Sequence, residues 1–403
     1  MNRRFFFTIL FIVATALIAG GAVFFAKGYR FSPEKGTFSG TGIMSITSIP
    51  DQASVYLDGH LSTATNANIN SLVPKKYKVR IIKEGYIPWE KELEVKEGLV
   101  TEIKARLFPA IPSIFPLTYN GIENSILSPD GQKLVFVVPD GVDSDVASSP
   151  PKKSGIWVWT MSERPIAFAR ANEPHQIMVS QSGINLSQAK IRWSPDSSQI
   201  MVTLPDRTLL LEDDRLNESP RDITPILQPT LSSWEEEKST KDLARIQSIK
   251  DLNLQKIASS SALVKWAPDE TKFLICEDKE NCLEQVEPQS LLLTENKVAE
   301  ESEKSNTPQK KKFKIVDLKK RETFTLPESY QALWLPDSLH LVLVDENKIS
   351  VIEFDGGNNH VIYAGTFDIN SVYAWPDGSR LAIITFFPIP TAERPNLYGI
   401  NLK

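Results

Sequence analysis

The chain has 403 residues, 41% of them hydrophobic, which is enough for two or three domains with real cores. Fifty acidic against 45 basic residues leave a net charge of -5, so there is no electrostatic footprint for nucleic acid. Two cysteines and four histidines leave little material for a metal centre, and no cofactor is expected.

The N-terminus departs from that ordinary composition. Phe5 to Ala26 is 22 residues without a charge, roughly 33 Å as a helix and enough to cross a bilayer. Arg3 and Arg4 precede it, and Lys27 and Arg30 follow. The apolar run is longer than that of a cleaved signal peptide, and its small-residue site, Gly20-Gly21-Ala22, lies inside the run. An uncleaved signal anchor is therefore expected over 5–26, with residues 1–4 cytoplasmic and the rest of the chain extracytoplasmic. Residues 27–42, rich in Gly, Ser and Thr, read as a flexible stalk.

From Ile43 the pattern changes to short alternating strands bounded by Pro, Gly and Asp. They are Met44–Ile49, Ser54–Leu57, Tyr77–Ile82, Trp89–Val95 and Leu99–Leu107, which predict a small antiparallel β-sandwich over 43–108. The ordered succession Pro50-Asp51-Gln52-Ala53, Val55-Tyr56-Leu57-Asp58-Gly59, Leu72-Val73-Pro74-Lys75-Lys76-Tyr77 and Lys83-Glu84-Gly85-Tyr86 resembles a PEGA domain. Two family glycines are replaced, by Gln52 and Lys76, so the turns there are expected to differ in type. The resemblance implies an extracytoplasmic β-domain with a binding or spacer role and no catalytic residues. Tyr86 and Trp89 are its candidate ligand contacts.

Phe108 to Pro116 is a Pro-spaced hinge, and beyond it one motif organises the chain. Leu127-Ser128-Pro129-Asp130-Gly131, Trp193-Ser194-Pro195-Asp196, Trp266-Ala267-Pro268-Asp269, Trp334-Leu335-Pro336-Asp337 and Trp375-Pro376-Asp377-Gly378 each precede a β-rich stretch. Pro presets the second position of a tight turn and Asp bonds nearby backbone, so each motif reads as a turn between two strands of a blade. With Trp ahead of Ser-Pro-Asp-Gly and an apolar strand after it, the set resembles TolB-like, WD-type propeller repeats. The first repeat departs from that pattern with Leu127 in place of Trp, and the last has Trp375 moved next to Pro. The resemblance implies a bacterial envelope role and favours a protein partner.

Successive motifs lie 66, 73, 68 and 40 residues apart, and only the last fits a plain blade of roughly 40–45 residues. The others carry insertions. Counting strands places 139–155, 171–188, 228–261, 278–312 and 387–395 on one face, opposite the Pro-Asp turns. Over 229–258 the pattern is helical, with a capping box at Ser232–Glu235 and Trp234, Leu243, Ile246, Ile249 and Leu252 on a shared face. Residues 296–312 read as a charged, disordered loop. After Arg380–Phe386 only one more strand remains, and Ser113–Tyr119 could close the ring. The expected fold class is all-β: a transmembrane helix, a small sandwich, then a propeller over 109–403 of five blades, with six as the alternative.

The chemistry that sequence can show is sparse. His60, His175, His340 and His360 stand in no metal-ligand spacing, and no nucleophile elbow or phosphate loop is present. Asp140, Asp143 and Asp145 could gather around Ca²⁺, but a solvated acidic turn is the simpler reading. The Pro-Asp residues recur once per blade and are turn architecture. Trp157 and Trp159 are expected to leave one ring free for a glycan or protein. Cys276 and Cys282 flank a polar turn, and a disulfide across it and two unrelated thiols stand as alternatives. The expectation is a non-catalytic, membrane-anchored binding or scaffolding protein with an envelope protein, peptide or cell-wall glycan as partner. An envelope-polymer hydrolase or lyase is the alternative.

Overall fold

The computed structural model describes residues 3–26, 29–32, 37–119, 121–139, 154–161, 173–180, 186–261, 263–277, 282, 309–386 and 394–403. The expected Asp140–Asp145 cluster and residues 296–308 of the expected disordered loop lie outside them. The chain divides into two units, residues 1–111 and 112–402, so the boundary falls inside the Pro-spaced hinge.

The first unit begins with α1 (Arg3–Ala26), 24 residues of mostly apolar sequence. Every described side chain in it, Phe7 to Val23, is exposed. Among the described residues, no helix is long and apolar enough to cross a membrane. The stalk is not uniformly open coil, because β1 (Arg30–Ser32) and β2 (Thr37–Ser39) pair antiparallel within it.

The sandwich has one sheet ordered β6-β3-β9, from Ala67–Leu72, Gly42–Ile49 and Val100–Arg106. Its second sheet is ordered β5-β4-β7-β8, from His60–Ala64, Ser54–Leu57, Lys76–Ile82 and Trp89–Glu94. Inward residues of both, including Met44, Ile46, Val55, Val79, Ile81 and Ile103, form one buried cluster. It is not wholly antiparallel as expected: β9 returns beside β3 in the same direction, over the register Ile43↔Val100 to Ile49↔Arg106. Parallel pairing needs a long crossover rather than a hairpin, and five intervening strands supply it. Gln52 answers the missing family glycine by adopting the left-handed region itself, with φ 56°.

The second unit contains five four-stranded sheets. Blade 1 runs through Glu123–Leu127, Lys133–Val138, Gly155–Thr160 and His175–Val179. Blade 2 uses Lys190–Trp193, Gln199–Thr203, Thr208–Glu212 and Arg221–Asp222, and blade 3 uses Val264–Trp266, Lys272–Cys276, Phe313–Asp317 and Glu322–Thr325. Blade 4 uses Gln331–Trp334, His340–Val344, Lys348–Glu353 and His360–Ala364. In blade 5, Val372–Ala374, Arg380–Thr385 and Asn396–Asn401 are completed by Ile114–Pro116 from the hinge, paired Ile114↔Ile400. The count of five and the closure by the segment ahead of the first repeat are both as expected. Closure leaves no sheet edge open at the seam.

The Pro-Asp motif makes one turn in every blade. The residue before Pro donates its N–H back across the hairpin, Ser128 to Lys133, Ser194 to Gln199, Ala267 to Lys272, Leu335 to His340 and Trp375 to Arg380 (2.8–3.0 Å). Each Asp carboxylate accepts the N–H two residues on, for example Gln132 N at 3.0 Å from Asp130 and Ser379 N at 2.8 Å from Asp377. The residue after Asp is left-handed in all five: Gly131, Ser197, Glu270, Ser338 and Gly378, with φ between 54° and 71°.

The insertion between blades 2 and 3 is two helices, α2 (Leu227–Gln247) and α3 (Leu252–Ser260). α2 starts five residues before the expected capping box, so Ser232 and Glu235 are helix interior. Its own N-cap, Ile226, makes no side-chain cap bond. The expected shared apolar face is broken by the turn at Ser248–Asp251. Ile249 is buried in that turn against Phe273, Ile275 and Val316, together with Leu254 and Ala258 of α3, whereas Leu243 and Leu252 are exposed. α3 therefore packs on blade 3, anchored by the Asp251 carboxylate capping Asn253 and Leu254. α2 buries no residue.

One expected insertion is also redistributed. The strand His175–Val179 runs through 171–188, so that segment is not a single crossover.

The left-handed turn residues give a direct stability test. A non-glycine there costs roughly 1 kcal/mol or more. Glu270→Gly should therefore raise unfolding free energy by about 1 kcal/mol, less the small loss of its exposed ion pair with Arg245. Ser197→Gly should gain nothing, because the Ser197 hydroxyl accepts Asp130 N at 3.1 Å from the neighbouring blade. Chemical denaturation of both variants measures the difference.

Candidate functional site

The first strand of each blade is innermost, since these strands touch one another from blade to blade. Trp193 Nε1 donates to Ile126 O (3.1 Å), and Trp334 Nε1 to Lys265 O (3.0 Å). Gln331 Nε2 donates to Ile369 O (2.9 Å), and Tyr373 OH reaches Ser125 O (2.8 Å). Blades 1 and 2 and blades 3 and 4 share one set of cross-links. Asp130 N donates to Ser197 Oγ and Lys133 Nζ to Ser197 O, as Asp269 N does to Ser338 Oγ and Lys272 Nζ to Ser338 O (3.0–3.2 Å).

At the face opposite the Pro-Asp turns, the inner strands of blades 5, 1 and 2 surround a cavity of about 1100 Å³. Ile122, Ile126, Ile191, Met201 and Ile384 line it with aliphatic surface. Charge of both signs enters through Glu123, Lys190, Arg192 and Asp368. The first turns of α2 contribute Leu227, Gln228, Leu231, Ser232 and Glu235, a stripe at helical spacing.

A hydrogen-bonded group ties the blade 5 side to blade 1. Ser371 Oγ donates to the Asp368 carboxylate (2.5 Å), and Asn370 N donates to the same group (3.0 Å). Ser125 Oγ lies 3.4 Å from Ser371 Oγ and 2.8 Å from Tyr373 OH. Burial pushes the Tyr373 phenol above its ordinary range, so it stays a neutral donor. A β-bulge between Glu123 and Ile126, with Asn124 at φ 48°, places this stretch at the cavity.

The residues singled out in the sequence have other places. The Asp of each Pro-Asp pair bonds its own turn, and hydrogen bonding from Ser194 lowers the Asp196 carboxyl below its ordinary value. Trp157 and Trp159, two apart on one strand, face the same side, since the side-chain period of a strand is two. Trp159 is buried with its ring edge on Trp375 (5.5 Å), and Trp157 packs partly buried on the same cluster, so neither stands as a free platform. Trp89 is buried in the sandwich core with Tyr86 packed against it. Cys276 and Cys282 form a disulfide, with Cα atoms 6.4 Å apart. No group of three potential metal ligands occurs among the described residues. The cavity itself had no linear signal. Its lining comes from strand starts whose positions depend on ring closure.

Residues 41–111 match the PEGA domain family model. No curated protein matches the chain. Among solved structures it is similar to TolB from Acinetobacter baumannii, with 11% identity and a TM-score of 0.23, over 82% of this chain and 61% of that one. A putative TolB from Agrobacterium tumefaciens shows 13% identity and a TM-score of 0.21, over 68% and 76%. An acylaminoacyl peptidase from Pyrococcus horikoshii shows 11% and 0.22, over 70% and 39%. The chain thus spans 61% of the length of the first of these. At such scores the propeller rests on the chain's own strand connectivity, and no residue role is carried across.

Lys265, in the inner strand of blade 3, has its ammonium pushed down to about 8 by burial and by the neighbouring Lys311. A lysine with a lowered folded pKa penalises the fold wherever the unfolded chain is protonated and the folded one resists it. That penalty is complete below pH 8 and is relieved as pH rises toward 10.5, the ordinary lysine value. Lys265→Met should raise the melting temperature at pH 7 and flatten the stability gain between pH 8 and 10, read by thermal melts across that range.

Proposed function

We propose that this chain is a non-catalytic, membrane-anchored extracytoplasmic binding protein whose propeller cavity takes an extended peptide segment of an envelope protein. The cavity beside α2 carries the reading. Its aliphatic floor suits apolar anchors of a peptide, while its hydroxyl, amide and charged groups suit peptide backbone and polar side chains. α2 supports it as well, being a 21-residue helix with no fully buried residue that presents Leu231 and Glu235 to the cavity. The PEGA domain serves as an accessory binding or spacer module. Anchoring is supported by the apolar sequence of α1 and the exposure of all its described side chains. The disulfide suits an oxidising, extracytoplasmic compartment.

Crosslinking capture from intact membranes tests the reading, comparing the parent chain with Leu231→Arg and Phe386→Ala, two exposed or half-exposed positions on the cavity wall. Loss of a hot-spot contact costs about 2 kcal/mol or more, so at least a tenfold loss of a captured protein is expected from each variant. Undiminished capture by both folded variants overturns the peptide reading and brings forward an envelope-polymer hydrolase or lyase.

A further inference from the structure

The sandwich carries a second exposed apolar feature, at the end where the chain enters it. Val73, Leu99 and Val100 are 49, 58 and 55% exposed, and Ile43 is 37% exposed. They are neighbours: Ile43 stands opposite Val100 in the parallel ladder, and its N–H donates to Leu99 O at 3.0 Å. Gly42 stands opposite Leu72, one residue before Val73. The other exposed aliphatics of the sandwich, Ile49 and Leu61, stand apart. Ile49 is at the far end of β3, about 20 Å away at the rise of a strand.

The chain length fixes what lies close to this end. β1 and β2 pair Arg30 with Ser39, so the residues between them add no reach. Only 27–29 and 40–41 then separate α1 from β3, a tether of about 25 Å even when extended. At its other end is α1, whose exposed side chains include Phe11, Leu17 and Ile18. An isolated cluster of aliphatics within reach of an apolar helix matches the surface of a bilayer.

We propose that the Ile43–Val73–Leu99–Val100 end of the sandwich rests in the interfacial layer of the phospholipid bilayer that holds α1. This rests on the anchoring proposed above. The flanking lysines Lys76 and Lys96 are already paired with Glu92 and Glu94, both at 3.6 Å. Apolar burial rather than headgroup charge therefore carries the contact, and neutral phosphatidylcholine suffices.

Because both cysteines are consumed by the disulfide, Leu99→Cys introduces a single thiol for an environment-sensitive fluorophore. The full chain is reconstituted in phosphatidylcholine vesicles, with and without nitroxide-labelled lipid. Lys104→Cys, farther along β9, serves as an aqueous reference, and Val13→Cys reports on α1. Val73→Cys replaces Leu99→Cys if that variant fails to fold. The expected result is a blue-shifted, several-fold brighter signal at 99 that lipid nitroxide quenches, with 104 unchanged. Signal at 13 but an aqueous 99 overturns this proposal and leaves the anchor standing. Aqueous signals at both 13 and 99 overturn the anchor, and this proposal with it. A response at 99 that appears only with anionic lipid overturns the apolar mechanism.

Discussion

Everything in the larger unit depends on the turn built from Pro, Asp and a left-handed residue. The turn fixes the register between first and second strands, and so decides which side chains face each neighbouring blade. It also does the joining. In blades 2 and 4 the left-handed residue is a serine, whose hydroxyl accepts a backbone N–H from the turn of the blade before. Its carbonyl accepts the lysine that begins that blade's second strand. The conformational cost of serine at such a position is offset by a bond that glycine could not make. Each such bond contributes about 1 kcal/mol net, so the four contacts are a meaningful part of a marginally stable fold.

The same cross-links impose a larger rhythm. Blades 1 and 2 share an apolar cluster, as do blades 3 and 4, and each pair has a tryptophan of the second blade bonded to the first strand of the one before. Blade 5 differs: it joins blade 1 through Tyr373 and Ser125, and through the Trp159–Trp375 contact. That join is where the cavity lies. The hydroxyl and carboxylate chain of Ser125, Ser371 and Asp368 thus serves two purposes, fastening the ring and furnishing the cavity wall.

Local chemistry was legible in the sequence, and long-range pairing only where it completed a count of strands. Pro129-Asp130-Gly131 and its four counterparts announce their turns because the bonds they make span only a few residues. Blade number and closure followed from counting those turns. The parallel partnership of Gly42–Ile49 with Val100–Arg106 left no comparable mark, since period-two alternation is the same in either direction. Ser232–Glu235 matched a helix start because a capping box is a four-residue pattern, and helix interiors contain such patterns by chance. Trp157 and Trp159 were misjudged on a rule that sequence does supply. The cavity was invisible for a different reason: its walls come from positions 122 to 395 that no local motif relates.

The strand Ile114–Pro116 waits for a partner that begins 280 residues later, at Asn396. Synthesis from the N-terminus delivers that partner last, after four other blades are complete. Until then Ile114–Pro116 is unpaired and blade 5 is incomplete. A chain cut short before Asn396 would hold four whole blades yet leave the ring open.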